Sequence, residues 1–306
     1  MATANQAEIS FPSDFPSRLD PFLVKELRMA LRHRWFLGSF LFVHVIMLLA
    51  VSAEWLCLRK VEASGSSSGP WDGFALLGRN AFWIAAHLIM GLVLPLRGFD
   101  ALQEELRGRN AELLLVAGMS RWRIMRGKWI SQMALSMLVL GNFLPYLVVR
   151  YFFGGFNFSS NLVHLFAVVT GSVAMNGLVL GISGYGSYLT RGVLLAVASA
   201  NVFVAAGAVS VVANFTDIYG PTLLRTIFIS LCCIAYAVLL CLVGLQLGRA
   251  HLKQCLLPWE QSPTRSMVVL LVLLPFILTA GTVMTLGWGG VLVLGVMIFV
   301  VVRLDP

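Results

Sequence analysis

The sequence is poor in charged residues. Asp, Glu, Lys and Arg make up only 12% of its 306 residues, whereas they form about a quarter of an ordinary soluble domain. Hydrophobic residues fill 58% of the positions, and the mean hydropathy is +0.86. This composition excludes a soluble globular domain and indicates a protein that crosses a membrane several times.

Paired cysteines and a phosphate-binding loop are also missing from the sequence. None of the five cysteines belongs to a CxxC pair, so we predict neither a metal site nor a disulfide framework. Hydrolysis of ATP requires a GxxxxGK[ST] loop whose backbone amides hold the phosphates, and the sequence contains none. We therefore predict that the chain is not an enzyme and binds no cofactor of its own.

Long apolar runs are abundant. A helix needs about 20 apolar residues to cross the hydrocarbon core of a bilayer, and eight runs are candidates. The last two are short and meet at a glycine-rich joint, so a single bent or re-entrant element is an open alternative there. We predict an all-α, polytopic membrane helix bundle with six core spans and a C-terminal two-helix hairpin. The eight runs are Phe36–Leu56, Phe74–Leu96, Trp129–Val149, Leu162–Leu189, Val193–Ala213, Leu223–Leu247, Met267–Val283 and Leu286–Val302.

Positive charge is distributed unevenly between the predicted loops. If the amino terminus lies in the cytoplasm, 17 of the 22 Lys and Arg residues fall on the cytoplasmic side and 5 on the other. Positively charged loops are retained in the cytoplasm during insertion, so we predict cytoplasmic amino and carboxyl termini in an inner or plasma membrane. This topology and contacts with anionic membrane lipids account for the net charge of +8, so no nucleic-acid partner is expected.

The chain divides into four predicted regions. Residues 1–19 form a mobile tail, residues 20–35 an amphipathic helix at the membrane interface, residues 36–248 the six-span core, and residues 249–306 a linker with the C-terminal hairpin. The helix starts with a capping residue and a proline, and its leucines recur at every fourth position. A simple extension of the first span into the cytoplasm is the alternative. The charged residues that we single out on this helix are Lys25, Glu26, Arg28 and Arg32.

A polar segment separates the second and third apolar runs. It covers residues 97–128, reads RGFDALQEELRGRNAELLLVAGMSRWRIMRGK, and is called the polar segment below. Gly108 ends a first predicted helix. Asn110 begins a second helix, which Gly118 ends, and Ser120 caps a third. An ordered polar loop of this length in an otherwise apolar chain indicates a docking surface for another protein.

Several polar residues interrupt the apolar runs. Polar groups inside a membrane are costly and usually face protein or water. His44 and His87 lie near the middles of adjacent spans, so a contact between them or a proton relay is one interpretation. We favour hydrogen bonds between helices of the bundle, and no third residue completes a metal site. The full set is His44, Glu54, His87, Asn142, Asn176 and Asn201.

One short motif resembles part of an enzyme. Residues 181–184 read Gly-Ile-Ser-Gly, which matches the GxSG motif of rhomboid-type intramembrane serine proteases. A nucleophilic serine needs a base within hydrogen-bonding reach, and we expect the only downstream histidine, His251, to lie beyond the sixth span. Because Gly177 and Gly181 are four residues apart, we favour close helix packing as their role.

Several motifs follow one another along the chain in a recognisable order. The stretch LDPFLVKELR contains Pro21 and Lys25, and the polar segment contains a Glu-Leu-Leu run and ends in Gly-Lys. Pro145 and a Gly-Gly pair at residues 154–155 follow near the outer end of the third span, and Pro-Trp-Glu at residues 258–260 follows the sixth. This order resembles the permease subunits of type 2 ATP-binding-cassette (ABC) exporters.

The resemblance implies a set of partners. The amino-terminal helix would lie along the cytoplasmic membrane surface, and the polar segment would form the coupling helix on a nucleotide-binding subunit. Two copies of an ABC ATPase subunit would carry ATP and Mg, and a second permease copy or a paralogue would complete the transporter. The implied ATPase interface consists of Glu104, Glu105, Arg107, Glu112, Leu113, Leu114, Gly118, Ser120, Arg121 and Arg123.

The chain also departs from the family pattern. Many members carry a re-entrant hairpin between the fifth and sixth spans, whereas only about Asn214–Pro221 connects them here. Two functions remain open at this point. One is a permease subunit that couples ATP hydrolysis on a separate subunit to substrate movement, in the direction of export. The other is a non-transporting scaffold or assembly subunit that uses the same surface to hold a soluble partner.

Overall fold

The described part of the chain is helical. The computed structural model describes residues 21–32, 34–64, 80–108, 120–152, 158–219, 223–256, 268–269, 272–273 and 294–299. Within these ranges only short turns interrupt the helices, and no strand occurs. The predicted all-α fold is therefore confirmed. The predicted tail at residues 1–19 and most of the predicted C-terminal hairpin lie outside the described residues.

The helices are numbered in chain order. They are α1 Pro21–Arg32, α2 Arg34–Ser64, α3 Ala81–Leu88, α4 Ala101–Arg107, α5 Arg121–Gly141, α6 Leu144–Phe152, α7 Phe158–Ile182, α8 Tyr188–Tyr219 and α9 Leu223–Leu256. Two predicted boundaries are confirmed. Gly108 ends α4, and the Ser120 hydroxyl caps α5 by accepting a hydrogen bond from the backbone N–H of Arg123 at 3.3 Å.

Among the described residues six stretches are long and apolar enough to cross a membrane, so the chain is a multi-pass membrane protein. Successive spans run in opposite directions and give the bundle two ends. The basic end is the end at which Arg107, Arg121 and Lys253 lie, and the opposite end is the end at which Arg59 and Phe152 lie. The spans, numbered 1 to 6, are Phe36–Arg59, Ala81–Arg107, Arg121–Phe152, Asn161–Ile182, Tyr188–Ala205 and Ser230–Lys253.

The predicted fourth span, Leu162–Leu189, is too long. The helix α7 ends at Ile182, and a turn at residues 183–187 precedes α8. Hydropathy alone does not reveal this turn, because Leu189 belongs to the next helix and extends the apolar run. Two glycines, Gly184 and Gly186, weaken the helix at this point, and the Ser183 hydroxyl donates a hydrogen bond back to the carbonyl of Leu180 at 2.7 Å.

The predicted amphipathic helix is present as α1 and begins at Pro21, as predicted. The side chains of Lys25, Arg28 and Arg32 are exposed, as expected for the polar face of an amphipathic helix. The helix lies against α5. This contact favours a distinct helix that belongs to the basic end over a straight extension of span 1.

Span 2 is a broken helix. A π-helical turn at Ile89–Val93 follows α3, and a 3-10 turn at Pro95–Gly98 follows next, before α4 begins. Within the π-helical turn the backbone N–H of Leu94 bonds to the carbonyl of Ile89 at 3.0 Å. Pro95 has no N–H and cannot continue the α-helical pattern. Span 2 therefore consists of two halves joined by π-helical and 3-10 turns, and a π-helical turn inside a helix is common at functional sites.

Spans 4 and 6 pack in unusually close contact through their glycines. A Cβ atom added to Gly181 would lie 2.1 Å from the carbonyl oxygen of Gly244, and one added to Gly244 would lie 2.2 Å from the carbonyl oxygen of Gly177. Only the absence of side chains lets the two backbones approach this closely. The packing role predicted for Gly177 and Gly181 is therefore confirmed.

Substitution of Gly181 by alanine should destabilise the bundle. The new methyl group meets backbone atoms, which cannot rotate away, so we expect a loss of about 1–3 kcal/mol and a lower Tm in detergent. Gly192→Ala is the matched control, because Gly192 is an exposed helical residue with no atom within 4 Å of an added Cβ. The control should be neutral or slightly stabilising. Equal Tm values for the two variants would contradict the close-packing assignment.

Candidate functional site

The polar segment is described on both flanks but not in its middle. Residues 97–108 and 120–128 belong to the described part, whereas residues 109–119 lie outside it. The second predicted helix of the segment and the docking residues Glu112, Leu113, Leu114 and Gly118 therefore stay predictions. The described flanks show how the segment is attached to the bundle.

The short helix α4 is inserted into the basic end of the bundle. Its Leu102 side chain is 0% exposed and packs in a cluster with residues of spans 3, 4 and 6. Burying a leucine side chain completely is worth about 1.5–3 kcal/mol, so this contact holds α4 firmly. The other buried members of the cluster are Ile124, Met125, Leu180, Cys241, Leu245 and Leu252.

Polar contacts attach α4 to the neighbouring helices as well. The Lys128 ammonium of span 3 lies 2.8 Å from the Glu105 carboxylate, and the two side chains are only 7% and 15% exposed. The backbone N–H of Leu102 donates to the hydroxyl of Ser183 at 3.2 Å. The helix is thus joined to span 3 by an ion pair and to the turn after span 4 by a hydrogen bond.

A third link joins the start of α4 to span 5. The Arg191 side chain is 0% exposed, and its Nη1 donates to the Asp100 carboxylate and, at 3.1 Å, to the carbonyl of Phe99. The guanidinium carbon lies 4.3 Å from the centre of the Tyr188 ring and 4.9 Å from that of Phe99. Such cation–π contacts help to offset the cost of removing the charge from water.

Sequence reasoning missed the roles of Arg191 and Asp100. It counted Arg191 only among the positive charges that set the topology, and it gave Asp100 no role. The two residues are 91 positions apart, and no periodicity or motif connects them. The only available signal was the presence of one arginine in the short connection between two apolar runs, where a buried charge needs a partner.

The predicted interface residues on the described flanks fall into two groups. Glu104, Arg107, Ser120 and Arg123 are exposed at the basic end, whereas Arg121 is partly buried. Glu105 directs its carboxylate inward to Lys128, which favours a structural role over contact with a partner.

The position predicted for His251 is wrong. His251 lies inside α9 within span 6 and is buried against Gly184, where an added Cβ would lie 2.6 Å from the imidazole ring. Its Nδ1 is 2.8 Å from the carbonyl of Leu247, and the Ser183 hydroxyl bonds to Leu180. The two side chains thus use their polar atoms on backbone groups, and none of the described hydrogen bonds joins serine to histidine as a protease would require.

Next to this contact, Tyr185 lies in the turn between spans 4 and 5. Its ring meets that of His251 edge to face, with the ring centres 4.5 Å apart. Burial raises the pKa of the Tyr185 phenol, so the side chain stays neutral at physiological pH. Tyr185 therefore contributes aromatic packing to the turn.

A second polar cluster lies at the opposite end. The Arg150 guanidinium forms a two-pronged ion pair with the Glu54 carboxylate, at 2.6 and 2.7 Å. Its remaining nitrogen, Nη1, donates at 2.8 Å to the amide oxygen of Asn161, which also accepts a hydrogen bond from the Trp83 indole at 3.1 Å. Four spans meet in this cluster, because each of these residues comes from a different one.

The remaining intramembrane polar residues form helix contacts. His44 Nδ1 lies 2.8 Å from the Tyr146 hydroxyl of span 3, whereas His87 Nδ1 lies 2.8 Å from the carbonyl of Trp83 in its own helix. The two histidines thus have different partners. In these hydrogen bonds only His44 makes the predicted contact between helices, whereas His87 bonds within its own helix. No group of metal-ligating side chains occurs in the described ranges. The three asparagines, each bonded to a backbone carbonyl one turn earlier, are Asn142, Asn176 and Asn201.

Comparison with known protein families, with curated proteins and with solved structures finds no match to this chain.

Removal of one partner from the Glu54–Arg150 pair should be costly. Glu54→Gln leaves a nearly buried guanidinium without its countercharge, and we expect a loss of about 3 kcal/mol in the free energy of unfolding in mixed micelles. The exposed Glu104 supplies the matched control, since Glu104→Gln should change stability by less than about 0.5 kcal/mol. The double variant Glu54→Gln with Arg150→Met should recover part of the loss. If the loss in the double variant equals the sum of the losses in the single variants Glu54→Gln and Arg150→Met, the pair has no coupling energy.

Proposed function

We propose that this chain is the membrane-spanning permease subunit of an ATP-driven ABC transporter that works in export. The observation that carries the proposal is the seating of α4 at the start of the polar segment. This helix combines a fully buried Leu102, the ion pair of Glu105 with Lys128, and the link to Arg191 through Asp100. A docking segment that only holds a partner does not need to be joined to four spans.

The attachment of α4 suits the transmission of a displacement. Packed side chains and ion pairs resist compression, so movement of the polar segment is passed to spans 3, 4, 5 and 6. The break at Ile89–Gly98 lies between α4 and the outer half of span 2. The inner half of span 2, which is α4, can therefore move while the outer half stays in the polar cluster at the opposite end. Hinged elements of this kind are common in switching proteins.

The partner follows from what the chain lacks. The sequence contains no loop for ATP phosphates, so a separate ABC ATPase subunit must bind ATP and Mg. Two such subunits and a second copy of the permease, or a paralogue, form the proposed transporter. Closure of the ATPases presses on the polar segment at the cytoplasmic side, and the spans then re-pack to open the other face.

Arginine substitutions in the middle of the polar segment should prevent binding of the ATPase. We expect Glu112→Arg and Leu114→Arg each to lower the recovery of a co-expressed ATPase by about tenfold or more, because each introduces a repulsive or unpaired charge into the interface. Arg59→Glu is the control, since Arg59 is exposed at the opposite end. Recovery is measured by affinity purification from membranes. Full recovery with both polar-segment variants would overturn the docking assignment.

Loss of the Leu102 side chain should weaken the coupling between the ATPase and the spans without preventing the ATPase from binding. Leu102→Ala leaves a cavity under α4 and costs about 2–5 kcal/mol, but it does not touch the exposed surface. In proteoliposomes we expect the ATPase to bind normally and its stimulation by the permease to fall several-fold. Leu189→Ala, at a side chain that is 77% exposed, is the control.

The same measurement distinguishes a scaffold from a permease. If the ATPase binds but its hydrolysis is identical with the wild-type chain and with folded Leu102→Ala protein, coupling through α4 is excluded. The chain would then serve as a non-transporting assembly subunit.

A further inference from the structure

A polar cavity of about 130 Å³ lies between spans 2 and 3. Five of the eight side chains that line it carry hydroxyl, amide or charged groups, which is unusual inside a bundle of apolar helices. A water molecule needs only about 10–15 Å³ of such volume, so the cavity has room for several. The lining residues are Leu94, Arg97, Ala101, Lys128, Ser131, Gln132, Leu135 and Ser136.

The polar lining follows one face of span 3. Lys128, Ser131, Gln132 and Ser136 recur at three- and four-residue spacing, which places them on the same side of α5. Ser136 lies about 12 Å beyond Lys128 along the helix axis, at 1.5 Å per residue. Span 3 runs from Arg121 to Phe152, so Ser136 stands near its middle. The polar face therefore extends from the basic end to about the middle of the membrane.

The wall opposite this face is the break in span 2. Leu94 lies between the π-helical and the 3-10 turn, and Arg97 belongs to the 3-10 turn. A Cβ atom added to Gly98 of that turn would lie 2.2 Å from the amide nitrogen of Gln132, so the Gln132 side chain reaches across to this backbone. Irregular backbone at membrane depth is tolerated where it is buried in protein or lines a water-filled cavity. The break in span 2 thus suits a hydrated neighbour.

The uncharged polar groups of the lining have hydrogen-bonding capacity left for water. The Ser136 hydroxyl accepts a hydrogen bond from Asn176 Nδ2 at 3.2 Å, and no described hydrogen bond uses its O–H as the donor. The Ser131 hydroxyl donates to the carbonyl of Lys128 at 2.9 Å, which leaves its lone pairs to accept. The buried amide oxygen of Gln132 accepts no hydrogen bond from the described groups. Internal waters bind to polar groups of this kind.

We propose that this cavity is hydrated and admits small hydrophilic molecules from the basic end to the middle of the bundle. Polar cavities of this size hold ordered water, whereas apolar ones stay dry. Arg97 and Ala101 are partly exposed, whereas Ser131 and Ser136 are buried, so the hydrophilic molecules enter beside α4. Water in the cavity offers alternative hydrogen-bond partners to the backbone of the break in span 2. This proposal goes beyond the transport function and holds with or without an ATPase partner.

Alkylation of an introduced cysteine tests the proposal. Cysteine reacts as the thiolate, which apolar surroundings disfavour. Ser136→Cys is made in the otherwise unchanged full chain, membranes are treated with iodoacetamide, and the rate at this position is followed by peptide mass spectrometry. We expect a rate about tenfold or more above those of Leu138→Cys and Val139→Cys. Leu138 lies on the exposed apolar face of span 3, and Val139 is 0% exposed in an apolar core cluster.

A second pair of variants tests whether access runs through the cavity. Ser131→Leu, combined with Ser136→Cys, replaces a lining hydroxyl by a larger apolar group and should slow alkylation about fivefold or more. Ala134→Leu is the control, because Ala134 is exposed on the same helix and does not line the cavity. The proposal is rejected if Ser136→Cys reacts no faster than Leu138→Cys, or if Ser131→Leu and Ala134→Leu have equal effects. Tm values confirm that the variants are folded.

Discussion

The need to neutralise charge inside a medium of low dielectric constant governs this structure. A charged side chain in a bilayer is expensive unless it has a partner, and three cations of the described helices, two buried and one largely buried, lie against carboxylates. Arg150 meets Glu54, Arg191 meets Asp100, and Lys128 meets Glu105. Since the partners in each pair come from different elements, satisfying the charges also determines which helices are neighbours. The first pair joins spans 1 and 3 at one end, and the other two join α4 and the turn before it to spans 3 and 5 at the other end.

Apolar packing divides the bundle into parts that spans 2 and 4 connect. Spans 4, 5 and 6 share one core cluster around Met175 and Leu240, whereas spans 1, 2 and 3 share another around Met47 and Phe82, to which span 4 contributes Val168. Span 2 belongs to the second cluster as far as Leu94, and after its break it enters a third cluster through Leu102. The close backbone contact between spans 4 and 6 makes the first part stiff. The break in span 2 thus lies between the part of this span that belongs to the second cluster and the part that belongs to the third.

The sequence predicts what is local in this fold. The presence of six apolar spans, a glycine at the end of α4 and a serine at the start of α5 each depend on residues close together in the chain, and these three features are confirmed in the described residues. The four-residue spacing of Gly177 and Gly181 also predicts a close contact with another helix, because residues four apart lie on the same face of a helix. By contrast, Arg150 and Glu54 are 96 residues apart, and their pairing depends on the arrangement of whole helices. The early end of α7 was missed because hydropathy averages over the turn. The docking role of residues 112–114 still depends on the resemblance alone.

The position of Leu102 has a consequence for how the protein is made. Its pocket includes Leu245 and Leu252 from the last of the six spans, whereas α4 itself leaves the ribosome well before them. During synthesis the earlier spans fold first, and α4 has no complete seat until span 6 has been inserted. The segment that it anchors is therefore presented correctly only after the sixth span has joined the others. A soluble subunit that recognises the seated segment would assemble with the bundle after its insertion and not with partly inserted chains.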